Sequence, residues 1–221
     1  MFTRLPPVTR ALLIANAAVF LLQFLAESSQ LGGWLMYLTL WPLGSGAEYD
    51  VPGFLPWQVL TYGFMHGDLP HLLFNMLALV MFGAQVEHEW GARRFLGYYL
   101  TCVVGAALCQ LVVAAITMSM GGGVYYTVGA SGGVFGLLLA YGMLFPNQRV
   151  MLLIPPVPMK ARTLVTLYGV ITLLMGLSGV MPGVAHFAHL GGMLFGWLLI
   201  RQWRRRPPPG GRRRPPLRAV H

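Results

Sequence analysis

The sequence predicts an all-α polytopic membrane protein, a six-helix bundle with one long membrane-associated first loop. Three observations predict it. The 221-residue chain is 56% hydrophobic and only 10% charged, with a mean hydropathy of +0.64, more apolar than a soluble domain of this size tolerates. Six apolar stretches, at 8–26, 71–86, 95–116, 130–144, 164–177 and 187–200, approach the roughly 17–25 residues that cross about 30 Å of hydrocarbon. All 15 Lys and Arg residues fall on one side of a six-span arrangement.

In chain order, residues 1–7 form a cytoplasmic N-terminal segment. The first stretch is too long for a signal-peptide core and lacks a small-residue cleavage site, so it is expected to remain as a helix. The 28–70 loop that follows is long and apolar. Its Trp34, Tyr37, Trp41, Trp57 and Tyr62 are residue types favoured at a membrane interface, which predicts a partly helical segment on or in the outer leaflet.

Arg4 and Arg10 flank the first span, Arg93 and Arg94 follow the second, and Arg149, Lys160 and Arg162 lie between the fourth and fifth. The remaining basic residues follow the sixth. With both termini inside, every one of them is cytoplasmic. The membrane domain is then 8–203, and 204–221 is a Pro/Arg-rich cytoplasmic tail. The net charge of +9 is concentrated after residue 200, beside the membrane. It predicts a topology determinant touching anionic lipid head groups, with no nucleic-acid partner. The short termini without a transit-like leader favour a bacterial inner membrane. Cys102 and Cys109 share the third span and are read as packing residues, with no disulfide or metal framework.

Polar side chains inside spans are costly and face a cavity or one another. In this topology the second, fourth and sixth helices all run inward from the outer face. His71 and Asn75 lie in the first turns of the second, Ser131 in the first turn of the fourth, and His186 and His189 in the first turn of the sixth. All lie within roughly 10 Å of the outer boundary. Each alone reads as packing or interhelical hydrogen bonding; together they describe a water-accessible site.

A serine needs a base to become a nucleophile, and a histidine at the same depth accepts its proton and later protonates the leaving amine. No Asp or Glu lies at that depth in the sixth helix, so the reading is a Ser131–His189 dyad. His71 and Asn75 at i, i+4 share a helix face and, with the Ser131 backbone N–H, supply donors for an oxyanion. Gly129 lets the backbone before the serine adopt an unusual turn, and Phe135, one turn below Ser131, packs either under the imidazole or into the core. Gly129-Ala130-Ser131-Gly132-Gly133 also matches a nucleophile elbow, but a Gly-rich loop and an apolar helix flank it where an α/β-hydrolase needs a strand. A zinc site from His66, His71, His186 and His189 lacks both an H-E-x-x-H pattern and an adjacent carboxylate. Neither a metal nor another cofactor is expected.

With these residues in place, the chain resembles the rhomboid family of intramembrane serine proteases over about 56–203. The resemblance is carried by Phe64-Met65-His66, His71-Leu72-Leu73-Phe74-Asn75, Val86-Glu87 through Gly91, Gly129-Ala130-Ser131-Gly132, and Ala188-His189 with Gly192 and Gly196. It implies Ser131 as nucleophile, His189 as base, His71 with Asn75 as the oxyanion-stabilising pair, and a structural role for Glu87. It further implies membrane-protein substrates cut in or beside a transmembrane helix, with a fifth helix and a 178–186 loop, containing Pro182 and Gly183, gating access. Family members often carry Arg after the Trp of the first loop; this chain has Gln58 after Trp57. A catalytically silent relative would lack the serine or histidine, and a carrier would place polar residues across the whole bilayer thickness.

Overall fold

The computed structural model of the chain describes residues 5–27, 29–151, 156–179 and 185–205. Arg4, the 180–184 part of the expected gating loop with Pro182 and Gly183, and residues 206–221 of the tail lie outside the described residues.

Six long helices occupy the six apolar stretches: α1 (Pro7–Ala26), α2 (Leu69–Trp90), α3 (Ala92–Ser119), α4 (Ser131–Leu144), α5 (Ala161–Ser178) and α6 (His186–Arg205). Four of them, α1, α2, α3 and α5, are long and apolar enough to cross a membrane. α4 is apolar but has 14 residues. α6 has 20, and histidines at its start and arginines at its end lower its hydropathy. Large apolar side chains project outward, among them Phe24 and Leu25 of α1 and Leu174 of α5, each at least 60% exposed. So much exposed hydrocarbon suits a lipid environment.

Local sequence explains where the helices begin and bend. α2 starts two residues earlier than the apolar stretch because the Asp68 side chain caps it, accepting from His71 N–H at 2.6 Å, and Pro70 is tolerated in the first turn. A π-helical turn at Leu79–Gly83 interrupts it. Gly91, at φ 78° and ψ 158°, then reverses the chain directly into α3, a conformation open essentially to glycine alone.

The core lies where α3, α4 and α6 cross, with Tyr98, Tyr99, Cys102, Val103 and Leu137 among its fully buried members. Small residues set the helix separation. Gly192 of α6 rests on the Gly132 backbone of α4, and Cys102 Sγ fills the space beside Gly136. Cys102 and Cys109 are both free and both pack toward glycines of neighbouring helices. α1 stands at the periphery, held at its N-terminus by Glu87. That buried carboxylate accepts from Val8 N–H at 2.9 Å, Thr9 N–H at 2.7 Å and Thr9 Oγ1–H at 2.7 Å, which satisfies orphan donors and favours the helix dipole.

The first loop is partly helical, with turns at Gln30–Leu35, Met36–Leu38, Ala47–Tyr49 and Gln58–Thr61. Trp34, Tyr37 and Trp57 are exposed, but Trp41 and Tyr62 are buried, which corrects the interfacial reading of those two. The cause is tertiary: the Leu40 and Thr127 backbones pair at 3.0 and 2.9 Å, folding the loop onto the α3–α4 connection. Gln58 anchors the loop. Fully buried, it accepts from Trp41 N–H at 3.1 Å and donates to Gly53 O at 3.0 Å and Tyr37 O at 3.3 Å. The all-α reading also missed an antiparallel pair of three-residue strands, Arg149–Met151 with Pro158–Lys160.

Candidate active site

Ser131 is the first residue of α4. Before it, Gly129 holds φ +126° and donates its N–H to Tyr62 O at 3.0 Å, so the serine enters the helix from a tethered, left-handed turn. A Cβ on Gly129 would lie 2.7 Å from His71 Cε1 and Nε2 and 3.6 Å from Ser131 Oγ. Only glycine leaves the gap between imidazole and hydroxyl open.

From α6, His189 brings Nε2 to 2.8 Å from Ser131 Oγ. Its ring lies flat on Phe135, with centroids 4.3 Å apart and planes 4° apart, and Tyr168 of α5 meets Phe135 edge-on. The stack fixes the plane in which Nε2 faces the hydroxyl. His189 Nδ1 is buried with no partner among the described residues, so no carboxylate orients it there. His186, the other histidine of this turn, is buried with its ring 6.4 Å from that of His189 and nearly perpendicular to it.

His71 stands across the Gly129 gap, its backbone held by Asp68 and its ring edge-on to His66 at 5.1 Å. One turn on, Asn75 is buried and its Nδ2 has no hydrogen-bond partner among the described residues. A buried amide donor without a partner is costly. Among the described residues no group of three or more His, Cys, Asp or Glu is placed to hold a metal ion.

Asn75 and Phe135 also border an apolar cleft of about 450 Å³ between α2, α4 and α5, whose other walls include Phe74, Met81, Leu138 and Tyr168. Its lining thus runs from the buried Asn75 to the exposed Phe74 on α2. Two supporting residues escaped the sequence reading. Asp68 was signalled by an Asp followed by a proline two positions on, a helix-start pattern. Tyr62, whose carbonyl tethers Gly129 and whose hydroxyl donates to Val103 O at 2.8 Å, carried no signal beyond being aromatic.

A protein-family model of the Rhomboid domain matches residues 54–206. The chain belongs to the rhomboid family. Similar proteins include RHOMBOID-like protein 4 of Arabidopsis thaliana, 37% identical over 166 residues, which are 73% of this chain and 38% of that protein. Rhomboid protein 1, mitochondrial, of Saccharomyces cerevisiae is 30% identical over 64% of this chain and 41% of its own length. Rhomboid protease GluP of Bacillus subtilis is 30% identical over 63% of this chain and 24% of its own. This rhomboid thus spans less than half the length of each, and the three come from a plant, a yeast and a bacterium.

Proposed function

We propose that this rhomboid is an intramembrane serine endopeptidase that hydrolyses peptide bonds in or near transmembrane helices of membrane-protein substrates. The observation that carries the proposal is the 2.8 Å approach of His189 Nε2 to Ser131 Oγ, with the imidazole stacked on Phe135. With the ring proton on Nδ1, Nε2 accepts the hydroxyl proton as Ser131 Oγ attacks the scissile carbonyl carbon. Negative charge then develops on the carbonyl oxygen. The Gly129 gap lets that oxygen approach the Ser131 N–H at the start of α4, the His71 ring and Asn75 Nδ2, all donors supplied without reorganisation. As the intermediate collapses, the C–N bond breaks and His189 returns the proton to the leaving amine. Water, deprotonated by the same imidazole, then cleaves the acyl ester and regenerates Ser131.

The apolar cleft supports lateral access of a substrate helix between α2 and α5, which would deliver the bond to Ser131 beside Asn75. In this reading all six helices cross the membrane, 8–203 is the membrane domain, and 1–7 and 204–221 are cytoplasmic, as the sorting of the basic residues indicates. Incubating the purified protein in detergent with a single-span model substrate tests the activity. Wild type is expected to cleave it, Ser131→Ala to be inert, and His189→Ala to lose nearly all activity. Cleavage by Ser131→Ala at the wild-type rate would refute the assignment.

A further inference from the structure

We infer that Gln23, on α1 and outside the residues that the family model covers, is a positioning residue for the site, fixing the segment that carries His66 and thereby the placement of His71. The inference rests on the serine-protease reading above. Gln23 Nε2 donates to His66 O at 3.1 Å, and His66 N–H donates to Gln23 Oε1 at 3.0 Å. One carboxamide thus satisfies both backbone groups of a residue 43 positions away. His66 lies between helical segments and is 2% exposed, so those groups are poorly placed to find water.

The bond reaches the site through the rings. The His66 imidazole abuts His71 edge-on at 5.1 Å, and His71 borders the gap under Gly129. A second contact runs beside the first. Ala26 packs with Met65 and Leu35, and Val19 and Val128 join that cluster, so α1 shares one cluster with the neighbours of His66 and of Gly129. Val19, Gln23 and Ala26 follow helical spacing and share one face of α1. An amide within a membrane helix is expensive unless paired, and this one is paired to the frame of the site. Glu87 fastens the opposite end of α1, remote from the chemistry, and so provides the comparison that separates positioning from simple attachment.

The test uses the full chain in detergent, with three readouts: thermal midpoint, steady-state cleavage of a single-span substrate, and the rate of labelling by a serine-directed fluorophosphonate. Gln23→Leu keeps the size and removes both hydrogen bonds. Its kcat and labelling rate per folded molecule are expected to fall about 10- to 100-fold, on the scale of a misplacement of ~1 Å, with KM little changed. Gln23→Glu keeps an acceptor for His66 N–H and is expected to recover part of the loss; it carries the test if Gln23→Leu does not fold. Glu87→Gln is expected to lower the thermal midpoint while leaving kcat per folded molecule unchanged. If the Gln23 variants only lower the midpoint, as Glu87→Gln does, Gln23 merely attaches α1 and the inference is overturned alone. If the wild type neither cleaves nor labels, the protease reading fails and takes the inference with it.

Discussion

Replacing Gly192 by alanine perturbs the pairing of Ser131 with His189 without touching either residue. Gly192 sits one turn beyond His189 on α6, where an added Cβ would collide with the Gly132 carbonyl oxygen and lie 2.8 Å from its carbon. Ordinary contact of a Cβ with carbon begins near 3.4 Å, so that carbon alone must recede by 3.4 − 2.8 = 0.6 Å, and the nearer oxygen raises the displacement to about 1 Å. The obstacle is backbone inside a helix, which has no rotamer by which to yield. Separating α4 from α6 by that much stretches the 2.8 Å contact between Ser131 and His189 to about 3.8 Å, beyond a productive hydrogen bond.

Cleavage and fluorophosphonate labelling of Gly192→Ala should therefore drop by about 10²-fold. Overpacking should also destabilise the fold by about 1–3 kcal/mol. Gly97, on an open face of α3 where an added Cβ would meet nothing within 4 Å, is the matched control; Gly97→Ala should be active and stabilised by about 0.5–1 kcal/mol. Wild-type labelling per folded molecule in Gly192→Ala would show that the dyad does not depend on this helix contact, and the geometric reasoning would fail.

Three further outcomes are expected. Asn75→Ala should lower kcat by up to about 10²–10³-fold, less where the Ser131 N–H and His71 share the load, with little change in KM; a variant that melts early but keeps full specific activity would make Asn75 structural only. Gln58→Leu strands Trp41 N–H and Gly53 O, at about 1–3 kcal/mol per group left unsatisfied, while Tyr37 O keeps the Trp57 Nε1–H bond at 3.0 Å; limited proteolysis should then cut the 38–57 region faster than in wild type, and an unchanged rate would count against the anchor. Reporter fusions after Arg94 and after Lys160 should report the cytoplasm, and a fusion in 121–123 the opposite side; inversion at Lys160 would undo the six-span count.

The helices were legible because a membrane span announces itself by composition, and α1, α3 and α5 begin and end within a few residues of their apolar runs. What escaped the reading depended on partners. Trp41 and Tyr62 belong to a residue class that favours interfaces, yet the Leu40 to Thr127 pairing folds their loop inward. The strand pair around 149–160 is too short, and too interrupted by Pro158, to show alternation. At the site, Ser131, His189, His71 and Asn75 stood out because polar residues at one depth in a bilayer are few. Their spacing did not. The 2.8 Å contact between Ser131 and His189 follows from Gly192 lying against the Gly132 backbone, and in a chain with 28 glycines no single one declares its neighbour. Gln23 and Gln58 were hidden for a related reason: each binds backbone amides and carbonyls, which every residue carries and which leave no mark on the residue opposite. A sequence can therefore name groups capable of chemistry, while the amides that hold them in register become visible only when the chain is folded.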